Sequence, residues 1–128
     1  MFYPSQFEVN EAWIVFKANS KPIHTAQNGY FNLFVLIDAV SLFALAFTTV
    51  PTKNPEMNCD ESLYLLGNAY SHLEIWPKKL FVPKKLSATF LIKEAEEMGI
   101  EIVRVAENQL SPIIGEIKKD LAQKFGWN

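Results

Sequence analysis

The sequence predicts a mixed α/β domain in which three antiparallel strands precede an α-β-α-β-α run, giving a five-stranded mixed sheet with flanking helices. Three observations carry that expectation. The first half holds aromatic and β-branched runs separated by Asn, Gly and Pro, the punctuation of strands and turns. The second half places apolar residues at three- and four-residue spacing, the period of a helix with one buried face. Finally, the run Ile-Glu-Ile-Val-Arg-Val follows the second helical segment at once, which is the spacing of a right-handed parallel crossover.

The elements follow in order. Residues 12–18, Ala-Trp-Ile-Val-Phe-Lys-Ala, read as the first strand. Residues 19–29 carry Pro22 and the pair Asn28-Gly29, which tolerate positive φ, and read as a connection with some extended structure. Residues 32–37 and 42–50 are the arms of a hairpin stopped by Pro51 and Pro55. Asp60 is expected to cap a helix over about residues 61–74, with Leu63, Leu66, Tyr70 and Leu73 on its inner face. Residues 80–82 make a short fourth strand between Pro77 and Pro83. Ser87 is expected to cap a second helix to about Met98, with Leu91, Ile92, Ala95 and Met98 inward, Glu94, Glu96 and Glu97 outward and Gly99 at its end. Residues 100–105 are the fifth strand. Ser111 before Pro112 starts a last helix, with Ile114, Ile117, Leu121 and Phe125 along one stripe to Gly126.

At 128 residues the chain suits one domain, since a single core usually takes roughly 100–200 residues. With 49% hydrophobic and only 20% charged residues it can bury a sizeable core and is not disordered. A formal net charge of −2 provides no global positive field, so any contact with nucleic acid has to be a local patch and no membrane surface is expected as a partner. The one cysteine, Cys59, has no partner for an internal disulfide, and the N-terminus lacks the pattern of a signal peptide, so a cytoplasmic location is expected. Residues 31–50 are apolar enough to be weighed as a membrane helix. Asp38 at the centre would cost about 2.5–3.5 kcal/mol on insertion scales, and Phe, Val and Thr favour strands, so the hairpin is the expectation.

Three antiparallel strands followed by α-β-α-β-α resemble the element order of the ribonuclease-H-like superfamily, which includes nucleases, transposases and integrases. More closely, Trp13 on the first strand, the hairpin run from Phe34 to Ala39, Pro77 before the fourth strand, and Gly99 to Val103 resemble a group of bacterial domains with no assigned activity. That likeness spans roughly residues 10–125 and implies the fold. Catalytic members of the superfamily place carboxylates on the first strand, the fourth strand and a helix, so that two divalent cations flank the scissile phosphate. Here the first strand offers Lys17 and no acid, while residues 78–84 carry lysines and Pro83 where an aspartate is needed. The resemblance thus implies a degenerate site without a metal or another cofactor.

Among the polar residues, Asp38 is the one acid inside an apolar run and the only candidate catalytic residue, but a hairpin turn completed by Ser41 explains it better. A displaced acidic site would have to be built from Asp38, Asp60 and Glu61. His24, His72 and Cys59 have no sequence neighbours that make them a base or a nucleophile, and His72 suits a helix C-terminus. Lys78, Lys79, Lys84 and Lys85 interleaved with Trp76 and Phe81 form the candidate binding cluster, mixing charge with stacking surface as single-strand binders do. Edge protection of a strand explains the same lysines and prolines. Phe31, Phe34, Phe43 and Phe47, with Trp13, Trp76 and Trp127, exceed what so small a core requires, which points to a homodimer interface or a ligand pocket.

The expectation is therefore a non-catalytic interaction or ligand-binding domain, dimeric, with nucleic acid the less favoured partner. The alternatives are a metal-dependent nucleic-acid-processing enzyme and accessory cargo of a mobile genetic element.

Overall fold

Six strands and three helices make up the computed structural model, which describes residues 1–126. The central strand β1 (Ala12–Lys17) is buried at its first five positions. Both of its faces are covered, which is why its sequence is a continuous apolar run rather than an alternation. After β2 (Ile23–Thr25) come the long β3 (Gly29–Asp38) and β4 (Ala44–Pro51). The apolar stretch over residues 31–50 is thus a β-hairpin, and no helix among the described residues is long and apolar enough to cross a membrane. The sheet is completed by β5 (Lys79–Pro83) and β6 (Glu101–Val105).

β3 has three partners. β1 pairs antiparallel with its C-terminal half, Lys17 facing Phe34 and Trp13 facing Asp38. β2 pairs with its start, Ile23 facing Phe31 and Thr25 facing Gly29. β4 spans from Phe31 to Ile37, overlapping both, so it occupies one edge of β3 while β1 and β2 share the other. β5 adds parallel to β1, and β6 parallel to β5. Across the sheet the strands run β4-β3-β1-β5-β6, with β2 prolonging the line of β1. The expected five strands are all present. The sixth, β2, falls in the stretch expected to be a connection, because three residues carry no period of their own and take their structure from β3.

Two cores lie on opposite faces. One gathers Trp13, Val15, Leu36, Leu80 and Val82 beneath α1 (Cys59–Tyr70) and α2 (Thr89–Glu97). The other gathers Ile14, Phe16, Val35, Ile37 and Phe81 beneath Ile113 and Ile114 of α3 (Ser111–Phe125). Each fully buried large apolar side chain here contributes about 1.5–3 kcal/mol. The N-terminal segment closes the second face, with the rings of Phe2 and Phe7 4.9 and 5.6 Å from that of Phe81.

Several helix details differ from expectation for physical reasons. α1 starts two residues before Glu61 and is capped by Asn58, not Asp60: Asn58 Oδ1 accepts from Glu61 N at 2.7 Å and Glu61 Oε1 accepts from Asn58 N at 2.8 Å. Its buried face is Ser62, Leu65, Leu66 and Ala69, while Leu63 and Leu73 are exposed. Ser62 can be buried because its hydroxyl donates to Asn58 O at 2.7 Å. The helix ends at Tyr70, four residues earlier than expected, and Glu74 takes a left-handed φ of 56°. In α3, Ile113 and Ile114 are buried whereas Phe125 is exposed, and Gly126 closes the helix at φ 73°.

Ser87 does not cap α2 either. Glu56, more than thirty residues upstream, accepts from Ser87 Oγ at 2.9 Å, Thr89 Oγ1 at 3.2 Å and Phe90 N at 3.3 Å. Burial pushes the Glu56 carboxyl up, but the bonds from Ser87, Phe90 and Thr89 outweigh it and hold the group below its ordinary range. A depressed carboxyl stabilises the fold above its unfolded pKa, and that contribution is lost as pH falls through the folded value. Glu56→Gln is therefore expected to cost about 0.5–1 kcal/mol at neutral pH, the scale of an exposed helix cap. Urea titrations of the two proteins should converge in acid.

Candidate ligand cleft

β1, β5 and β6 run parallel, so their C-terminal ends meet on one side of the sheet. β1 is also where the neighbouring strands change from parallel to antiparallel. Open α/β sheets bind ligands at such a place, outside the carboxyl ends of the strands. A cleft of about 870 Å³ opens there. Its floor includes Lys17 from β1 together with Asn32 and Phe34 from β3; one wall is Pro83 to Ser87 and the other is residues 106–108 with Lys118 of α3.

Each lysine is set by identifiable local structure. Lys17 is the last residue of β1, half-buried, directly across from Phe34. Lys84 and Lys85 are exposed on the loop after β5, where Lys84 N donates to Val105 O at 2.7 Å. Arg104 ties the same loop down, with Nη2 at 3.0, 2.9 and 2.7 Å from the carbonyl oxygens of Pro83, Lys84 and Leu86. Lys118 reaches back to Glu107 Oε2 at 3.1 Å, and among the described residues Glu107 is the one carboxylate lining the cleft. Among the described residues, Lys17, Lys84 and Lys85 make no ion pair. The cleft is thus cationic in a protein of net charge −2.

The candidate cluster of Trp76 and the four lysines around Phe81 is divided by the length of β5. Lys78 and Lys79 lie at its N-terminal end, where their backbone N–H groups donate to Glu11 O, whereas Lys84 and Lys85 follow its C-terminal end. Trp76 packs in a ring cluster, 4.3 Å from Tyr70 and 6.1 Å from Trp13, and is half-buried. Only Lys84 and Lys85 join the cleft. Lys118 was missed because its partners in the cleft are distant in sequence. Lys17 was visible as the sole charge in an otherwise apolar strand, which is the one signal that could have found it.

Asp38 lies at the opposite end of the sheet and is buried. Its Oδ2 accepts from Ser41 N at 2.8 Å, Ser41 Oγ at 2.9 Å and Val40 N at 3.2 Å, and its Oδ1 accepts from Asn10 N at 2.7 Å. Asn10 in turn donates to Ile75 O, beyond the C-terminus of α1. Asp60 and Glu61 are in the first turn of that helix, ten residues upstream, about 15 Å along its axis. The three acids do not converge, and among the described residues no group of three or more His, Cys, Asp and Glu side chains could hold a metal ion.

His72 Nε2 lies 2.7 Å from Leu45 O, and its ring meets Phe43 edge-on at 5.1 Å, fastening the hairpin to the turn after α1. His24 is exposed on β2, its ring 4.5 Å from Tyr30. Cys59 Sγ donates to Glu94 Oε1 at 3.7 Å; burial and the Glu94 charge push the thiol up, away from the thiolate a nucleophile requires. Of the aromatic surplus, Trp13 and Phe34 are core, Phe43 and Phe47 are exposed, and Trp127 lies outside the described residues.

No family model and no curated protein matches this chain. Among solved structures it is similar to a chain of the cryoEM structure of the simian T-cell lymphotropic virus intasome in complex with PP2A regulatory subunit B56 gamma, with a TM-score of 0.56 at 15% identity. The match covers 98% of this chain, which spans 43% of that one, and it is a likeness of fold alone.

Proposed function

We propose that this chain is a non-catalytic ligand-binding domain on a ribonuclease-H-like scaffold, and that its cleft holds the phosphate backbone of a nucleic acid. The observation that carries the reading is the cleft's charge. Among the described residues four lysines line it, the one carboxylate is engaged by Lys118, and Lys17, Lys84 and Lys85 are left to neutralise anionic oxygens. The strand order, with helices on both faces, and the likeness to a chain of an intasome support the scaffold. In a catalytic member, carboxylates holding divalent cations belong on the first and fourth strands and a helix. Here the ends of β1 and β5, and α3, bring lysines into the cleft, a set that repels cations and attracts phosphate.

The test is fluorescence anisotropy with a labelled single-stranded oligonucleotide over a salt series. Three to four phosphate contacts predict that log affinity falls against log salt with a slope of about −2 to −3. Incubation with magnesium or manganese should leave the strand intact. Absent or salt-independent binding overturns the proposal; metal-dependent cleavage abolished by Asp38→Asn decides for the rival enzyme built on Asp38, Asp60 and Glu61.

A specific observation also favours pairing with a second copy. Residues 39–52 contain no charged side chain, and β4, an outer strand, exposes Phe47, while Phe43 of the hairpin loop is exposed too. Natural edge strands are usually guarded by charge. Light scattering is expected to give about twice the chain mass of 14.6 kDa, and a purely monomeric particle removes this part of the proposal.

A further inference from the structure

We infer that the β2–β3 hairpin is a base-stacking platform that continues the cleft floor and makes a single-stranded nucleic acid its ligand, an inference that rests on the phosphate-binding reading above. Side chains two apart on a strand share a face. Tyr30, Asn32 and Phe34 therefore form one row on β3, and Asn32 and Phe34 already line the cleft. Their cross-strand partners share that face: Lys17 faces Phe34, and His24 faces Tyr30. The row runs from a cationic end to an aromatic one, with Tyr30 about 13 Å beyond Phe34 at strand spacing.

The aromatic end is both exposed and held. Tyr30 is 60% accessible, and its ring centroid is 4.5 Å from that of the exposed His24 at an interplanar angle of 47°. Tyr30 O accepts from Thr52 N at 3.1 Å, and Thr25 Oγ1 accepts from Asn28 N at 3.1 Å to close the turn, where Gly29 has a φ of 66°. A ring presented on a fixed backbone loses little freedom when a base stacks on it. Exposed Lys21 lies two residues before β2, and exposed Lys53 follows Thr52, whose N–H is bonded to Tyr30 O; both add positive charge. A cross-strand ring pair also steadies a hairpin by itself. That role predicts a change in stability and none in ligand preference. Duplex bases are already stacked on each other, so the platform selects single strands.

The experiment compares the full chain with Tyr30→Leu, which keeps apolar bulk but removes the aromatic face, and Tyr30→Phe, which keeps the face. The probes are a labelled single strand, an abasic strand of equal length that offers phosphates without bases, and a duplex. Loss of one stacked base predicts that Tyr30→Leu weakens single-strand binding by roughly 5- to 150-fold. Binding of the abasic strand should be unchanged, and Tyr30→Phe should behave as the parent. Thermal midpoints separate a folding defect from a binding defect, and His24→Ala supplies a second variant should Tyr30→Leu fold poorly. If both variants bind the single strand as the parent does, or weaken the abasic strand equally, the platform is overturned while the cleft stands. If the parent binds neither strand, it is the phosphate-binding reading that fails and the platform falls with it.

Discussion

Replacing Asp38 by alanine is expected to destabilise the protein by about 2–4 kcal/mol. The carboxylate is 3% exposed and accepts four hydrogen bonds, from Asn10 N, Val40 N, Ser41 N and Ser41 Oγ. Bonds to a charged group are worth about 1.5–3 kcal/mol each, and donors left buried without an acceptor cost more than the bond itself. Ser41 is at the surface, so water recovers part of its loss. Asn10 does not recover so readily. It sits at a left-handed φ of 63°, its Oδ1 accepts from Trp13 Nε1 at 2.7 Å, and its Nδ2 donates to Ile75 O at 3.0 Å. Leu42, in the hairpin loop, has a φ of 61°, a conformation costly for a branched side chain. Its N–H is held by Asp38 O at 3.0 Å. That bond is made by the backbone and survives in the alanine variant, so the carboxylate itself anchors one strained position, Asn10, and through it the segment after α1. Urea denaturation should show a lower midpoint with an unchanged slope, because the surface exposed on unfolding stays the same. A loss below about 0.5 kcal/mol, the range of ordinary surface positions, contradicts this account.

Reversing two lysines of the cleft, Lys17→Glu with Lys84→Glu, is expected to abolish oligonucleotide binding while leaving thermal stability within about 0.5 kcal/mol of the parent. Neither side chain has an ion pair to lose among the described residues, and one is exposed. Binding loses two phosphate contacts, which flattens the salt slope by about 1.4, and the new carboxylates repel the backbone. The combined loss should exceed about 100-fold at low salt. The control is built into β5. Lys78→Glu with Lys79→Glu makes the same change in net charge at the other end of that strand, about 17 Å away, and should reduce binding only slightly. Equal losses from both pairs would show that net charge rather than the cleft governs binding.

The architecture was legible wherever a pattern is local. The long hairpin, the crossover from β5 to β6 and the stripe of α3 announce themselves by period, because each buries one side against a neighbour. The turn at Asp38 was legible for the same reason, since its partners Val40 and Ser41 lie within three residues. Interactions across the chain were not. Glu56 displaces Ser87 as the cap of α2 from over thirty residues away. Asn58 wins over Asp60 because its reciprocal partner, Glu61, stands at the third helical position. The inner face of α1 carries Ser62 and Leu65 where Leu63 was expected, because the sheet and α2 rather than the local period decide which side is covered. The cleft was the least legible feature. Lys17, Lys84 and Lys118 are brought together only by the parallel order of β1, β5 and β6, and the Lys-Lys pairs that drew attention as one cluster end up at opposite ends of a strand.

Asn19 carries a consequence for how the molecule yields. Between the pairs Lys17–Phe34 and Ile23–Phe31, two residues of β3 face five residues of the first line of strands. The gap is stitched by one buried amide: Asn19 Oδ1 accepts from Leu33 N at 2.7 Å, and Nδ2 donates to Asn32 Oδ1 and Lys21 O at 2.9 Å each. One backbone hydrogen bond crosses it as well, Ala18 N donating to Leu33 O at 2.8 Å, and on its other edge β3 stays paired with β4 through Asn32 and Leu33. The tip bearing Tyr30 is therefore tied on both sides, to β4 by its ladder and to the first line of strands by Asn19, so it gives way only when that amide is undone.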